Sequence, residues 1–174
     1  MNEQLITRLE RAQTLVRTVS NAAMATVNTN SSPHNTPLFI AFSPDFLSVY
    51  WSSNPVAQHS VNVTRSAQAY FLLYDASAGG GLYFPVHAVR IANDETLAEG
   101  LTAYNAARVL NGKQQPLLVP AFSPPNVQRL YCATVTSYSV NLSERDANGK
   151  IVRDYRHEIS ASQLNMPAED ATIY

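Results

Sequence analysis

The residues whose types and spacing suit chemistry gather in one stretch, residues 50–60, YWSSNPVAQHS. Ser52 and Ser53 close an apolar run, FLSVYW over residues 46–51, and Asn54-Pro55 follows. Asn54 is a good N-cap and Pro55 suits the first helical position, so a helix is expected over residues 55–65. Val56, Ser60 and Val63 would form its inner face. A helix that starts right after a strand presents free backbone N–H groups and the positive end of its dipole, which suits an anion such as a phosphate. Ser52 and Ser53 add hydroxyl donors just before that N-terminus. Gln58 and His59 lie one turn in and can point back toward the same anion. The same pattern is the ordinary signature of a capped helix that binds nothing, and taken alone the stretch favours that plainer reading.

Other chemistries find less support. No serine sits in a G-x-S-x-G turn. The single cysteine, Cys132, falls inside a strand-like run with no basic neighbour in sequence, which suits an apolar filler better than a nucleophile. His34, His59, His87 and His157 form no close pair, and neither H-x-x-x-H nor C-x-x-C occurs. Carboxylates are too sparse for a paired-carboxylate hydrolase.

The stretch must be positioned by the elements around it. Apolar side chains at Leu5, Ile6, Leu9, Ala12, Leu15, Val16 and Val19 repeat with a helical period, so residues 2–19 form an amphipathic helix. Residues 22–28, 36–42 and 47–51 read as a three-strand meander, with turn chemistry in TNSSPHN and SPDF. A fourth strand is expected over 67–75 and a fifth over 82–92, where Pro85 suggests an edge or a bulge. Residues 94–111 read as a helix capped by Asp94, with Leu97, Leu101, Tyr104, Ala107, Val109 and Leu110 on its apolar stripe. A sixth strand spans 128–142. The Asn148-Gly149 pair signals a two-residue hairpin into a last strand over 151–160. Residues 161–174 carry little pattern. The sum is a mainly β, single-domain chain of six or seven antiparallel strands with inserted helices. It divides into an N-terminal helix (1–20), a barrel core (21–142) and a C-terminal hairpin and tail (143–174).

The order of these elements resembles the pyridoxamine 5′-phosphate oxidase-like family, the FMN-binding split β-barrels. The strand PHNTPLFIAF is followed by LSVYW, by SSNPVAQHSVNVTRSAQAYFLLYD and by GGGLYFPVHAVRI. Ser52-Ser53 look like the family's hydroxyl pair at a strand end. His59 looks like its basic helical residue, and Asn62-Val63 like the Asn-aliphatic pair that follows. Residues 75–90 look like its D…G-x-x-Y strand, and RLYCATVTSYSV like the strand after the inserted helix. The resemblance covers about residues 15–142. It implies a six-stranded Greek-key split barrel and a homodimer with FMN at the subunit interface. It also implies an oxidoreductase acting on a small molecule. The flavin phosphate would lie on Ser52, Ser53, Gln58 and His59, Asn62 would be a further cofactor-binding residue, and the strand from Asn35 to Phe39, with Thr36, Pro37 and Leu38, would run along the flavin ring. Members commonly carry an Arg or Lys pair where this chain has Gln58-His59. The alternative is a non-catalytic relative that stores flavin, handles haem or a deazaflavin, or has lost FMN.

Composition bounds the partners. Charged residues make up 14% of the chain, against roughly 25% in an average soluble domain. Between Asn21 and Val89 the only formal charges are Asp45, Arg65 and Asp75. A surface so poor in charge fits burial against a partner subunit or a ligand, the plainer alternative being a surface of Ser, Thr, Asn and Gln, in which this segment is rich; an oligomer is the favoured expectation. The net charge of −1 leaves no basic footprint for nucleic acid. No window reaches the length of a membrane span. One cysteine permits no internal disulfide, and a cytoplasmic protein is expected.

Overall fold

The helical period at the N-terminus forms α1 (Glu3–Thr18), which buries Leu9, Ala12, Leu15 and Val16. The structure, a computed structural model, describes residues 3–76 and 80–166. After α1 come β1 (Asn21–Val27), β2 (Pro33–Phe42), β3 (Ser48–Ser53), α2 (Gln58–Ser66), β4 (Gln68–Tyr74) and β5 (Gly81–Arg90). Then follow α3 (Asp94–Leu110), a short 3₁₀ turn, β6 (Arg129–Val135), β7 (Tyr138–Arg145), β8 (Ile151–Ile159) and α4 (Ala161–Asn165).

The strands lie in the order β4-β1-β2-β3-β6-β5-β7-β8, all neighbours antiparallel, and β4 also pairs with β5. That last pairing closes six strands into a barrel and leaves β7 and β8 as an added hairpin. Pro85 sits at the branch: β5 pairs β7 at Leu82 and Tyr83, then β6 from Val86 onward. A residue without an N–H is tolerated where a strand changes its neighbour.

Inward side chains fill the barrel with large apolar groups. Trp51 stacks on Tyr131 at 5.4 Å, and Phe71 on Phe84 at 5.4 Å. Met24, Ile40, Leu73 and Leu82 complete this interior, with α1 packed against it. A second, smaller core lies outside the barrel, where α3 covers Ala41 and Leu130 through Tyr104 and its neighbours. Gly100 permits that approach. A Cβ there would stand 2.7 Å from the Tyr50 ring and 3.0 Å from Leu130. Gly100→Val is therefore expected to cost about 2 kcal/mol, a fall of roughly 4–8 °C in Tm, although it improves helix propensity. Thermal denaturation of the variant checks this.

Several expectations are corrected. Helix α2 starts at Gln58 and its N-cap is Ala57, not Asn54. The Asn54 side chain instead accepts from the Val56 N–H, closing a turn that carries the chain three residues further before the helix begins. Val56 accordingly lies exposed, while Ser60 and Val63 are buried as expected. The cap of α3 is Asn93, whose side chain accepts from the Thr96 N–H, and Val109 and Leu110 are exposed. The expected strand 128–142 is two strands, β6 and β7, so eight strands form where six or seven are expected. Five residues, 146–150, connect β7 and β8. Gly149 donates to the Asp146 carbonyl, and only Gly149 of the expected pair takes a positive φ. Residues 161–165 form a short helix with a Ser160–Gln163 capping box. Gln13 and Arg17 of α1 donate to its carbonyls. Residues 77–79, between the expected fourth and fifth strands, and residues 167–174 of the tail lie outside the described residues.

Candidate functional site

The barrel opens between β2 and β3. These strands pair only at Ile40–Trp51, Ala41–Tyr50 and Phe42–Val49. Earlier in β2, residues 33–39 pair with β1 alone, and β3 runs on to Ser52 and Ser53 by pairing with β6. The two strands thus diverge into a cleft. The Ile40 N–H donates toward β1, to Ser20. By antiparallel alternation, Asn35, Pro37 and Phe39 turn their backbone groups toward the open side. The side chains of Asn35 and Pro37 are exposed, and those of Thr36 and Leu38 are half-buried on the opposite face.

At the mouth of this cleft three side chains converge. Ser53 Oγ lies 2.6 Å from His59 Nε2, and Ser60 Oγ donates to Ser53 Oγ at 3.0 Å. Ser53 Oγ thus sits between the Ser60 hydroxyl and the His59 ring, with the Asn54 carbonyl as a further acceptor at 3.4 Å. All three groups are at least nine-tenths buried. The N-terminus of α2 opens onto the same cluster, and Ala57 brings no side-chain acceptor to it. Its first N–H groups are therefore left for another acceptor. Arg129 stands directly opposite Ser53 in the β3–β6 register, on the same face of the sheet. Its guanidinium donates to the carbonyls of Asn126 and Gln128.

Burial, with a smaller contribution from His34, holds the His59 pKa below the usual histidine value. The unfolded chain binds the proton more readily, so the stability is present above about pH 6.5 and declines as the pH falls through that region. Tm of the cofactor-free protein is expected to drop between pH 7.5 and 5.5, and His59→Gln to flatten that drop. Differential scanning calorimetry across this range checks it.

The other expected residues are placed differently. Asn62 is fully buried and holds α2 onto the end of β1. Its amide donates to Thr26 Oγ1 and Asn28 Oδ1, both at 3.0 Å, and accepts from Gln58 Nε2. Gln58 therefore lies along the helix, not back over its N-terminus. Ser52 faces the other side of β3 and donates to Gln128 Oε1 at 3.2 Å. Sequence reasoning missed Thr26, Asn28 and Arg129 as members of this region. The first two end β1 with polar groups, and that change of character was the available signal. Arg129 is found only through strand register. Burial pushes the Cys132 thiol up, keeping it protonated. Among the described residues no three His, Cys, Asp or Glu side chains cluster as a metal site would need. No helix among them is long and apolar enough to cross a membrane.

No family model and no curated protein matches the sequence. Solved structures do match. One is a protein from Clostridium acetobutylicum related to a general stress protein and described as of the pyridoxinephosphate oxidase family. It superimposes at a TM-score of 0.61 and 12% identity, over 91% of this chain and 98% of its own. A haem-binding protein from Mycobacterium smegmatis gives 0.61 at 14% identity, over 91% of this chain and 60% of the other, so this chain spans three fifths of its length. An F420 reductase gives 0.54 at 16% identity, over 74% of this chain and 95% of the other. At such identities the likeness is one of fold, and that fold is the split β-barrel.

Proposed function

We propose that this split barrel binds FMN in the cleft between β2 and β3 of a homodimer and serves as an FMN-dependent oxidoreductase. The observation that carries the reading is the convergence at one mouth of four phosphate-suited features. They are an uncapped helix N-terminus, the hydroxyls of Ser53 and Ser60, the His59 ring and the Arg129 charge opposite Ser53. The donor set fits a phosphate once the Ser53 and Ser60 hydroxyls turn from their bonds within the cluster to the bound anion. Arg129 would supply the charge that Gln58-His59 lacks, and Asn62 would position α2 without touching the ligand. The open backbone of Asn35, Pro37 and Phe39 supplies donors and acceptors suited to the polar edge of a flavin ring. Bound flavin would bring electron-transfer chemistry, and the protein would bind, orient and exclude water.

The homodimer is favoured by the outer face of the β4-β1-β2 sheet. Tyr70, Leu72, Ala23, Ala25 and Pro37 share that face and carry no charge. Tyr70 and Pro37 are exposed on it. A second copy would cover it, which accounts for the charge-poor segment between Asn21 and Val89. A cytoplasmic setting is supported by the lone buried Cys132, which has no partner cysteine in this chain. A second reading, a flavin or haem carrier without catalysis, is favoured by the Ser53–His59–Ser60 cluster, whose hydrogen bonds close on themselves.

The absorption spectrum and mass of whatever copurifies test the proposal. Yellow protein releasing FMN supports it, and bound haem would replace it with the carrier reading. Arg129→Gln is expected to weaken FMN binding about tenfold, the worth of one charge-assisted hydrogen bond. Fluorescence titration in low and moderate salt checks this.

A further inference from the structure

A second cavity, about 1030 Å³ in volume, lies on the outer side of β2 and β3 beneath α3. It is as large as roughly the biggest small-molecule pockets. Nothing in the phosphate cluster borders it. Its origin is visible in the helix. Gly100 and Tyr104 bring one face of α3 onto the sheet. The adjoining row, Ala98, Thr102 and Ala106, carries side chains too short to fill the space beside them. The end of α1 and the β2–β3 turn close the cavity at its sides.

Its floor is polar at one place. Tyr50 and Ser48 line it, with the Cys132 thiol beside both, and burial raises the pKa of the phenol and the thiol alike. These groups stay neutral and can donate or accept one hydrogen bond. The charges around the cavity disfavour an anion. Among the described residues Arg17 is the one basic residue on its wall, and its guanidinium already donates to the carbonyls of Gln13 and Leu164. Asp45 and Glu99 are the acidic ones among the described residues. Asp45 is held ionised by hydrogen bonds from the Ser43 hydroxyl and the Leu47 N–H.

From this geometry we infer that the cavity takes a non-anionic, largely apolar ring compound of one to three rings, hydrogen-bonded through a single polar group at Tyr50 and Ser48. As a binding site it stands apart from the flavin reading. As the substrate pocket of that flavin it rests on it: β2 carries the open backbone edge at Asn35–Phe39 and runs directly into the cavity floor at Ile40–Phe42.

Matched probes test the inference. Calorimetric titration of the full chain with 2-naphthol and 2-naphthoate at neutral pH, with and without FMN, is expected to show 2-naphthol binding at least tenfold tighter. Ala106→Trp and Thr102→Trp, both at exposed positions on the cavity wall, are each expected to abolish that binding while Tm and FMN affinity hold. Tyr50→Phe is expected to weaken it roughly threefold to tenfold, as one neutral hydrogen bond would. No binding of 2-naphthol, equal or tighter binding of 2-naphthoate, or binding that survives both tryptophan variants would overturn the inference. So would a change in oligomeric mass in both tryptophan variants, because the wall would then be a subunit contact. If 2-naphthol binds and FMN does not, the cavity stands as a binding site and the flavin reading alone fails.

Discussion

Ser53→Asp is expected to weaken FMN binding by two to three orders of magnitude, while Ser53→Ala weakens it about tenfold. The hydroxyl supplies one hydrogen bond to a charged acceptor, worth about 1.5–3 kcal/mol, which sets the scale for alanine. Aspartate adds a like charge within a few ångströms of the phosphate, worth up to about 4 kcal/mol near a protein surface. The new carboxylate is expected to be tolerated by the fold. It faces the uncapped N-terminus of α2 and lies in register with Arg129, both favourable to a negative group. The variant therefore separates loss of ligand from loss of structure, provided that Tm without FMN is measured beside the binding curve. Equal FMN affinity in both variants and the parent would place the phosphate elsewhere.

Asn62→Ala is expected to be among the most damaging polar substitutions in the chain. Asn62 is 0% exposed and joins Thr26, Asn28 and Gln58 through one amide. Its removal strands Thr26 and Asn28 at the end of β1 and leaves a small void, at a cost of about 3 kcal/mol. For a chain of this size that is a fall of roughly 6–12 °C in Tm. The Arg153–Glu144 pair is the contrast. Both side chains are more than half exposed at a separation of 3.5 Å, so Arg153→Ala is expected to change stability by less than about 0.5 kcal/mol. Urea unfolding of the two variants side by side checks both. FMN affinity is expected to fall with Asn62→Ala as well, because α2 loses its fixed angle to β3.

The barrel was legible because its elements obey their periods. The repeat of Leu9, Ala12, Leu15 and Val16 required a helix, and the β1–β3 meander followed from apolar runs broken by turn residues. The start of α2 was not legible. Asn54-Pro55 carries the same local signals whether it caps a helix or closes a turn, and the need to carry the chain over the barrel end decided for the turn. Residues 128–142 misled for a different reason. Leu130 and Cys132 face α3 while Tyr131 and Ala133 face the barrel interior, so both sides of β6 are buried. With both faces apolar, alternation carries no phase, and the break at Thr136-Ser137 leaves no mark in it. At the site, Ser53 and His59 were legible as partners of one helix N-terminus. Arg129 and Thr26 were not, because the β3–β6 pairing brings Arg129 opposite Ser53 from 76 residues away and Thr26 joins through the Asn62 amide, 36 residues from it.

The reading as a whole stands on whether the cleft holds a phosphorylated flavin. Its most direct test is calorimetric titration of cofactor-free protein with FMN and, in parallel, with riboflavin. The account predicts saturable binding of one FMN per chain, with riboflavin weaker by at least tenfold because it lacks the phosphate that Ser53, Ser60, His59 and Arg129 would hold. Equal binding of the two flavins, or no binding of FMN, would contradict it.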